Sequence, residues 1–224
     1  MIASASVLAA LLHAAALSIA PVSAPDRPGA VVGSHSISDP IDRLRIEVPK
    51  SATYVGADRF TLYENADCEL HVFVDADASK RVSRFYWIQF ERYLPTQPDA
   101  RYNYSDNRRT NLWGSTTWVA SGFGRTNRQT RAGSDREHLT ALLTKAGYQL
   151  PPTMMQVRMV RLPDDPAGTG HGRRELMLIY AEGLAVTGEN FEALGGEGED
   201  TPRWKAIEPA LVERAGKGFR VTAR

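Results

Sequence analysis

The sequence predicts an α+β fold: a mainly antiparallel sheet of about six or seven strands built on a long central hairpin, with one well-capped helix and a short C-terminal helix. Three observations carry that expectation. Residues 68–74 and 82–94 both alternate with the period of two that a pleated strand requires, and a polar reversal, 75–81, lies between them. Most other strand-like segments are consecutive and do not alternate with helices, which excludes a parallel βαβ sheet. The third is a capping box: Ser134 with Glu137 three residues on, followed by a stripe of Leu139, Leu142, Leu143 and Ala146 and by Gly147 at the expected stop.

In chain order, residues 1–24 contain no Lys, Arg, Asp or Glu, and 7–20 form an apolar run short for a membrane-spanning helix. They read as a signal peptide ending at Val22-Ser23-Ala24, which places the protein in the periplasm or outside the cell. Pro25 after that site and the lack of a basic start leave a rival, an uncleaved anchor formed by residues 2–22. Contact with a membrane is expected only in that case. Residues 25–42, rich in Pro, Gly and Ser, read as a linker, and 43–224 as one α+β domain.

Residues 44–48 alternate and end at Pro49, and 60–63 form a further short strand. In the hairpin, Cys68, Leu70, Val72 and Val74 share a face opposite Glu69, His71 and Phe73. Across the turn, Tyr86, Ile88 and Phe90 oppose Phe85, Trp87, Gln89 and Glu91. Such alternation predicts half-buried strands, with Ile88 in the core and Gln89 in solvent. Residues 112–123 read as one strand, with Gly114 and Gly122 as bulges or close approaches. Residues 155–162 and 175–181 read as strands around a Pro, Gly and Asp loop. Pro209 fits the first turn of a short helix ending near Gly216, and 219–221 a last edge strand.

Composition excludes more chemistry than it suggests. Lys and Arg number 27 against 26 Asp and Glu, so nothing draws the chain toward nucleic acid. Cys68 is the only cysteine, so no internal disulfide can form, and its apolar neighbours favour an inert thiol over a nucleophile. Asp75, Asp77 and Ser79 open like a calcium loop, but Lys80 replaces the required Gly and Tyr86 the closing Glu. Residues 168–174, GTGHGRR, lie between two strands, where neither a P-loop nor a dinucleotide fingerprint can sit. His35, His71, His138 and His171 show no ligand spacing, so neither a metal nor a cofactor is expected.

The charge pattern is more informative. Residues 101–136 hold seven Arg and no Lys against two Asp, a net of +5, with aromatic residues interleaved, whereas 182–200 carry a net of −6. Guanidinium forks bind carboxylate and phosphate bidentately, and aromatic faces stack on rings. Arg108, Arg109, Trp113 and Tyr104 are therefore the candidate residues for an anionic or sugar-bearing ligand of the cell envelope. The rival is that the basic segment pairs with the acidic one. A non-catalytic exported binding module is preferred to an exported hydrolase assembled from separated residues. For the latter His71, Glu69 and Glu91 are the first to test, although His71 by itself reads as a surface histidine. Oligomeric state is not legible.

Overall fold

A computed structural model describes residues 29–196 and 201–223. The segments read as a signal peptide or anchor lie outside the described residues. No helix among those described is long and apolar enough to cross a membrane.

The α+β class is correct. The strands are β1 (Val31–Gly33), β2 (Ser36–Asp39), β3 (Leu44–Glu47), β4 (Thr53–Leu62), β5 (Ala66–Ala76), β6 (Val82–Tyr93), β7 (Tyr102–Asn103), β8 (Arg108–Leu112), β9 (Ser115–Arg125), β10 (Thr153–Arg161), β11 (His171–Gly172), β12 (Arg174–Gly183) and β13 (Arg220–Ala223). The helices are α1 (Asp135–Lys145) and α2 (Pro202–Lys217). Seven strands form one antiparallel sheet in the order β4-β5-β6-β12-β10-β9-β8. A smaller sheet, β1-β2-β3-β13, joins the first described strands to the last, and β7 pairs with β11.

One face of the large sheet is covered and the other is covered in part, which the alternation did not anticipate. One face meets the small sheet and α2: Phe73, Tyr86, Ile88, Phe90, Leu176, Leu178, Met155 and Val157 pack with Ile37, Ile46, Trp204 and Leu211. The other face meets α1, where Cys68, Leu70, Val72, Trp87 and Ile179 pack with Leu139 and Leu143. Gln89, expected in solvent, is 0 % exposed, and His71, read as a surface residue, is 1 % exposed. The error has a simple cause. A polar residue at every second position can mark a solvated face or a buried hydrogen-bond network, and periodicity cannot separate them.

Three further differences have local reasons. Residues 31–33 and 36–39, inside the stretch read as a linker, are strands, and Ile37 is fully buried between its neighbours. The strand expected over 112–123 begins one residue before a tight turn at Trp113 and Gly114 that joins β8 to β9. Both turn residues have positive φ, 52° and 74°, as a two-residue hairpin loop requires. Trp113 replaces the usual Asn or Gly there, and its indole Nε1 donates to the Phe219 carbonyl at 3.0 Å. The C-terminal helix is longer than expected, because Pro209 lies inside it. Pro209 is exposed on the outer side of the helix, while Trp204, Leu211 and Ala215 hold the opposite side in the core.

The calcium-like segment is a turn. Asp77 accepts hydrogen bonds from the Ser79 and Arg81 amides and from the Arg81 guanidinium, and these hold its carboxyl below the usual range. In the GTGHGRR loop, Gly170 has φ +89°, and a Cβ there would lie 2.7 Å from the Ser105 amide nitrogen, so the chains meet too closely for a side chain.

Candidate functional site

The large sheet and its two covers differ in size, and the site follows from that. Seven strands span about 29 Å from first to last at the usual spacing. A helix with its side chains is about 10 Å wide. α2 and the small sheet together cover one face, whereas on the other α1 is the one helix among the described residues. It sits toward the β4 edge: His138 Nδ1 lies 2.8 Å from Asp58 Oδ2, and its ring stacks on Phe60 at 3.7 Å. The Ser134 hydroxyl accepts the Glu137 amide and fixes where the helix starts.

The strands beyond α1 keep an open cleft of about 410 Å³. Its floor is the α1-facing side of four strands, with Phe85 and Trp87 from β6, Met177, Ile179 and Ala181 from β12, Met154, Gln156 and Arg158 from β10, and Ala120, Gly122 and Gly124 from β9. Asp135, Arg136, Leu139 and Thr140 of α1 form a wall, and Arg125 and Arg128 stand at the end of β9 and in the loop after it. Gln156 is exposed although it sits on an inner strand, as an uncovered floor requires. Nothing lies within 4 Å of where a Cβ would stand at Gly122 or Gly124. Gly122 is therefore neither the bulge nor the close approach that the sequence suggested; it leaves the floor bare.

Four arginines line the cleft against one carboxylate. Arg136 donates to the carbonyls of Arg125 and Thr126 at 3.2 and 3.4 Å. Arg125 pairs with Glu192 at 2.6 Å and lies 4.5 Å from the Phe191 ring centroid. Glu192 is 71 % exposed, and an exposed pair of this kind is weak and exchangeable. Arg158 sits 5.5 Å from the Tyr104 ring centroid. Burial raises the Asp135 carboxyl, with the Arg136 amide and the Arg158 charge opposing.

Behind one end of the cleft lies a buried carboxyl pair. Glu91 of β6 and Glu175 of β12 are direct cross-strand partners on the α1-facing side. The Trp87 indole, which lines the cleft, donates to Gln89 Oε1 at 2.8 Å, and Gln89 Nε2 donates to Glu91 Oε1 at 2.6 Å. The hydroxyls of Tyr102 and Tyr104 donate to Glu91 and Glu175 at 3.2 and 2.6 Å. Burial pushes both carboxyls up, Glu91 to about 7 and Glu175 to about 8, and the charge of Glu91 adds to the shift at Glu175. The pair holds a proton near neutrality. Burial also pushes the neighbouring Cys68 thiol far up, which removes its nucleophilic form.

The residues singled out in the sequence are dispersed. Glu69 and His71 are together, at 3.1 Å, with Tyr54 3.1 Å from the other ring nitrogen, but they face away from α1 while Glu91 faces toward it. Arg108 and Arg109 of β8 stand opposite Val119 and Trp118, and so point to different faces of the sheet. Arg108 pairs with Glu208 at 3.1 Å, and Arg109 reaches Thr116. Tyr104 is buried on Glu175, and the Trp113 indole is engaged with Phe219. The basic and acidic segments meet in the Arg125–Glu192 pair, while Glu189 and Glu182 bind Arg203 and Arg214.

What sequence reasoning missed is Arg158, Glu175 and the bare glycines. The signal for Glu175 was a charged residue opening an apolar strand, and for Arg158 one inside such a strand. No cluster of three or more His, Cys, Asp or Glu side chains among the described residues could hold a metal. Compared with known protein families, characterised proteins and solved structures, the chain matches none of them.

Proposed function

We propose that the protein is an exported, non-catalytic module that binds an anionic ligand in the cleft between α1 and the β6-β12-β10-β9 floor. One observation carries the reading: Arg125, Arg128, Arg136 and Arg158 surround a floor that is open at Gly122, Gly124 and Gln156, with Asp135 as the opposing charge in the lining. Three of the four belong to the lysine-free segment that the sequence marked out, so the ligand class stays as first expected and the place moves from Arg108 and Arg109 to the cleft. Guanidinium groups at the rim supply charge-assisted hydrogen bonds, and the apolar floor supplies area. Export rests on the charge-free residues 1–24, and N-terminal sequencing of the protein recovered from the envelope checks it.

Titration of the full chain with benzoate, phenyl phosphate and decanoate, followed by amide NMR, tests the binding reading. At least one anion should shift Gly122, Gly124 and the Trp87 indole. The affinity should fall with added salt and by tenfold or more in Arg136→Gln/Arg158→Gln. No shift at those residues with any of the three anions would retire it.

The second reading, an exported hydrolase, is favoured by the Glu91–Glu175 pair, since a carboxyl that holds its proton near neutral pH suits a general acid. Turnover of an ester or glycoside substrate by wild type, abolished in Glu175→Gln with the fold retained, would establish it.

A further inference from the structure

The two ends of the cleft differ in chemistry. β6 and β12 contribute Phe85, Trp87, Met177, Ile179 and Ala181 and no charged side chain, and Leu139 of α1 and Leu150 complete this end. These strand residues are 1 to 6 % exposed, so this is the buried end of the cleft, closed on one side by Leu139 of α1. The charged lining residues all come from β9, β10, the loop after β9 and the start of α1. That end is the open one, with Gln156 and the arginines of β9 and its loop exposed. From β6 to β9 is three strand spacings, about 14 Å, longer than one aromatic ring. Two of the deep residues are methionines, whose unbranched side chains adapt to a flexible occupant. The path between the ends crosses the bare backbone at Gly122 and Gly124, where no side chain interrupts it.

From this segregation we infer that the ligand is a single-chain amphiphile with an anionic head, its tail beside α1 against β6 and β12 and its carboxylate or phosphate at the arginine-bearing mouth. The inference rests on the reading of the cleft as an anion site and adds the tail. A small polar anion would leave the deep end without a role. A sugar acid would place hydroxyls against Phe85, Ile179 and Ala181, which offer no side-chain hydrogen-bond partner. A neutral lipid would set no opposing charge against the four arginines of the cleft. The bare glycines serve the same purpose, since any larger residue at position 122 would stand in the path of the tail.

Isothermal titration of the full chain, below micellar concentrations, with hexanoate, octanoate, decanoate and dodecanoate tests the tail. Each added methylene should tighten binding roughly fourfold until the deep end is filled, after which the series levels off. Decyl phosphate against decanoate distinguishes a phosphate from a carboxylate head. Decanol and decyltrimethylammonium should bind at least tenfold more weakly than decanoate. Gly122→Leu should weaken decanoate by tenfold or more at an unchanged melting temperature, because its Cβ meets no atom and its φ is not in the left-handed region. Gly124→Leu, equally open, is the second variant, and the wild-type series stands whether or not either variant folds. Anions that bind with no dependence on chain length would overturn the amphiphile and leave the anion site intact. Decanol binding as tightly as decanoate would overturn both.

Discussion

Gln89 shows how much one residue depends on what covers it. Its amide accepts from Trp87 and donates to Glu91, linking the cleft floor to the carboxyl pair from a position with no exposed surface. Gln89→Asp would place a second carboxylate against Glu91 and remove the only donor that Gln89 offers it. Loss of about 3 kcal/mol or more is expected, comparable to Ile88→Asp on the other face. Urea denaturation of both variants checks this. A mild Gln89→Asp beside a severe Ile88→Asp would mean that α1 does not cover this face. His71 teaches the same lesson on the opposite side. Its ring is held between Tyr54 and Glu69, and burial together with the Glu69 charge pushes the Tyr54 hydroxyl up to about 12, so this chain of contacts stays protonated at tyrosine and structural in character.

At the scale of elements, α1 and α2 do different things. The start of α1 is a wall of the cleft, so the Ser134 cap positions Asp135 and Arg136 as well as closing the helix. Ser134→Ala should lower stability by about 1 kcal/mol. α2 tolerates a proline in its middle because its buried side, through Trp204, Leu211 and Ala215, overrides local propensity. Pro209→Ala replaces the poorest helix former with the best at an exposed position and should raise stability by about 1 to 3 kcal/mol. Thermal unfolding measures it, and a lowered melting temperature would mean that the proline shapes a bend the packing requires.

For the whole molecule, the Glu91–Glu175 pair ties stability to pH. The groups facing it are Cys68 from β5, Tyr93 from β6, Tyr102 and Tyr104 from the β7 region, Arg158 from β10 and Asp135 from α1. Both carboxyls titrate higher in the folded chain than the ordinary 4.5, so between those values the folded state binds more protons than the unfolded state. Stability from this source is complete below the ordinary carboxylate range and is lost as pH rises through about 7 and about 8. Asp77 and Glu213, whose carboxyls are lowered, act in the opposite direction only at acid pH and are already ionised in this window. The urea midpoint should therefore fall from about pH 5.5 to about pH 9, and less steeply in Glu175→Gln. A flat wild-type profile would show that the pair is solvated.

The sequence by itself determined what depends on near neighbours. Alternation over 68–74 and 82–94 placed the strands, Ser134 and Gly147 bounded α1, and the lack of Lys among seven Arg marked the segment that supplies most of the cleft's charge. Tertiary structure alone decided which side of a strand is solvated, because that depends on elements far away in sequence: α1 lies some fifty residues from Gln89, and β13 closes the small sheet from the far end of the chain. The same holds for the site. Arg158, Glu175 and Gly122 carry no local signal that relates them to Trp87 or Arg136, and they meet only because one narrow helix covers part of a seven-stranded sheet and leaves the rest of that face open.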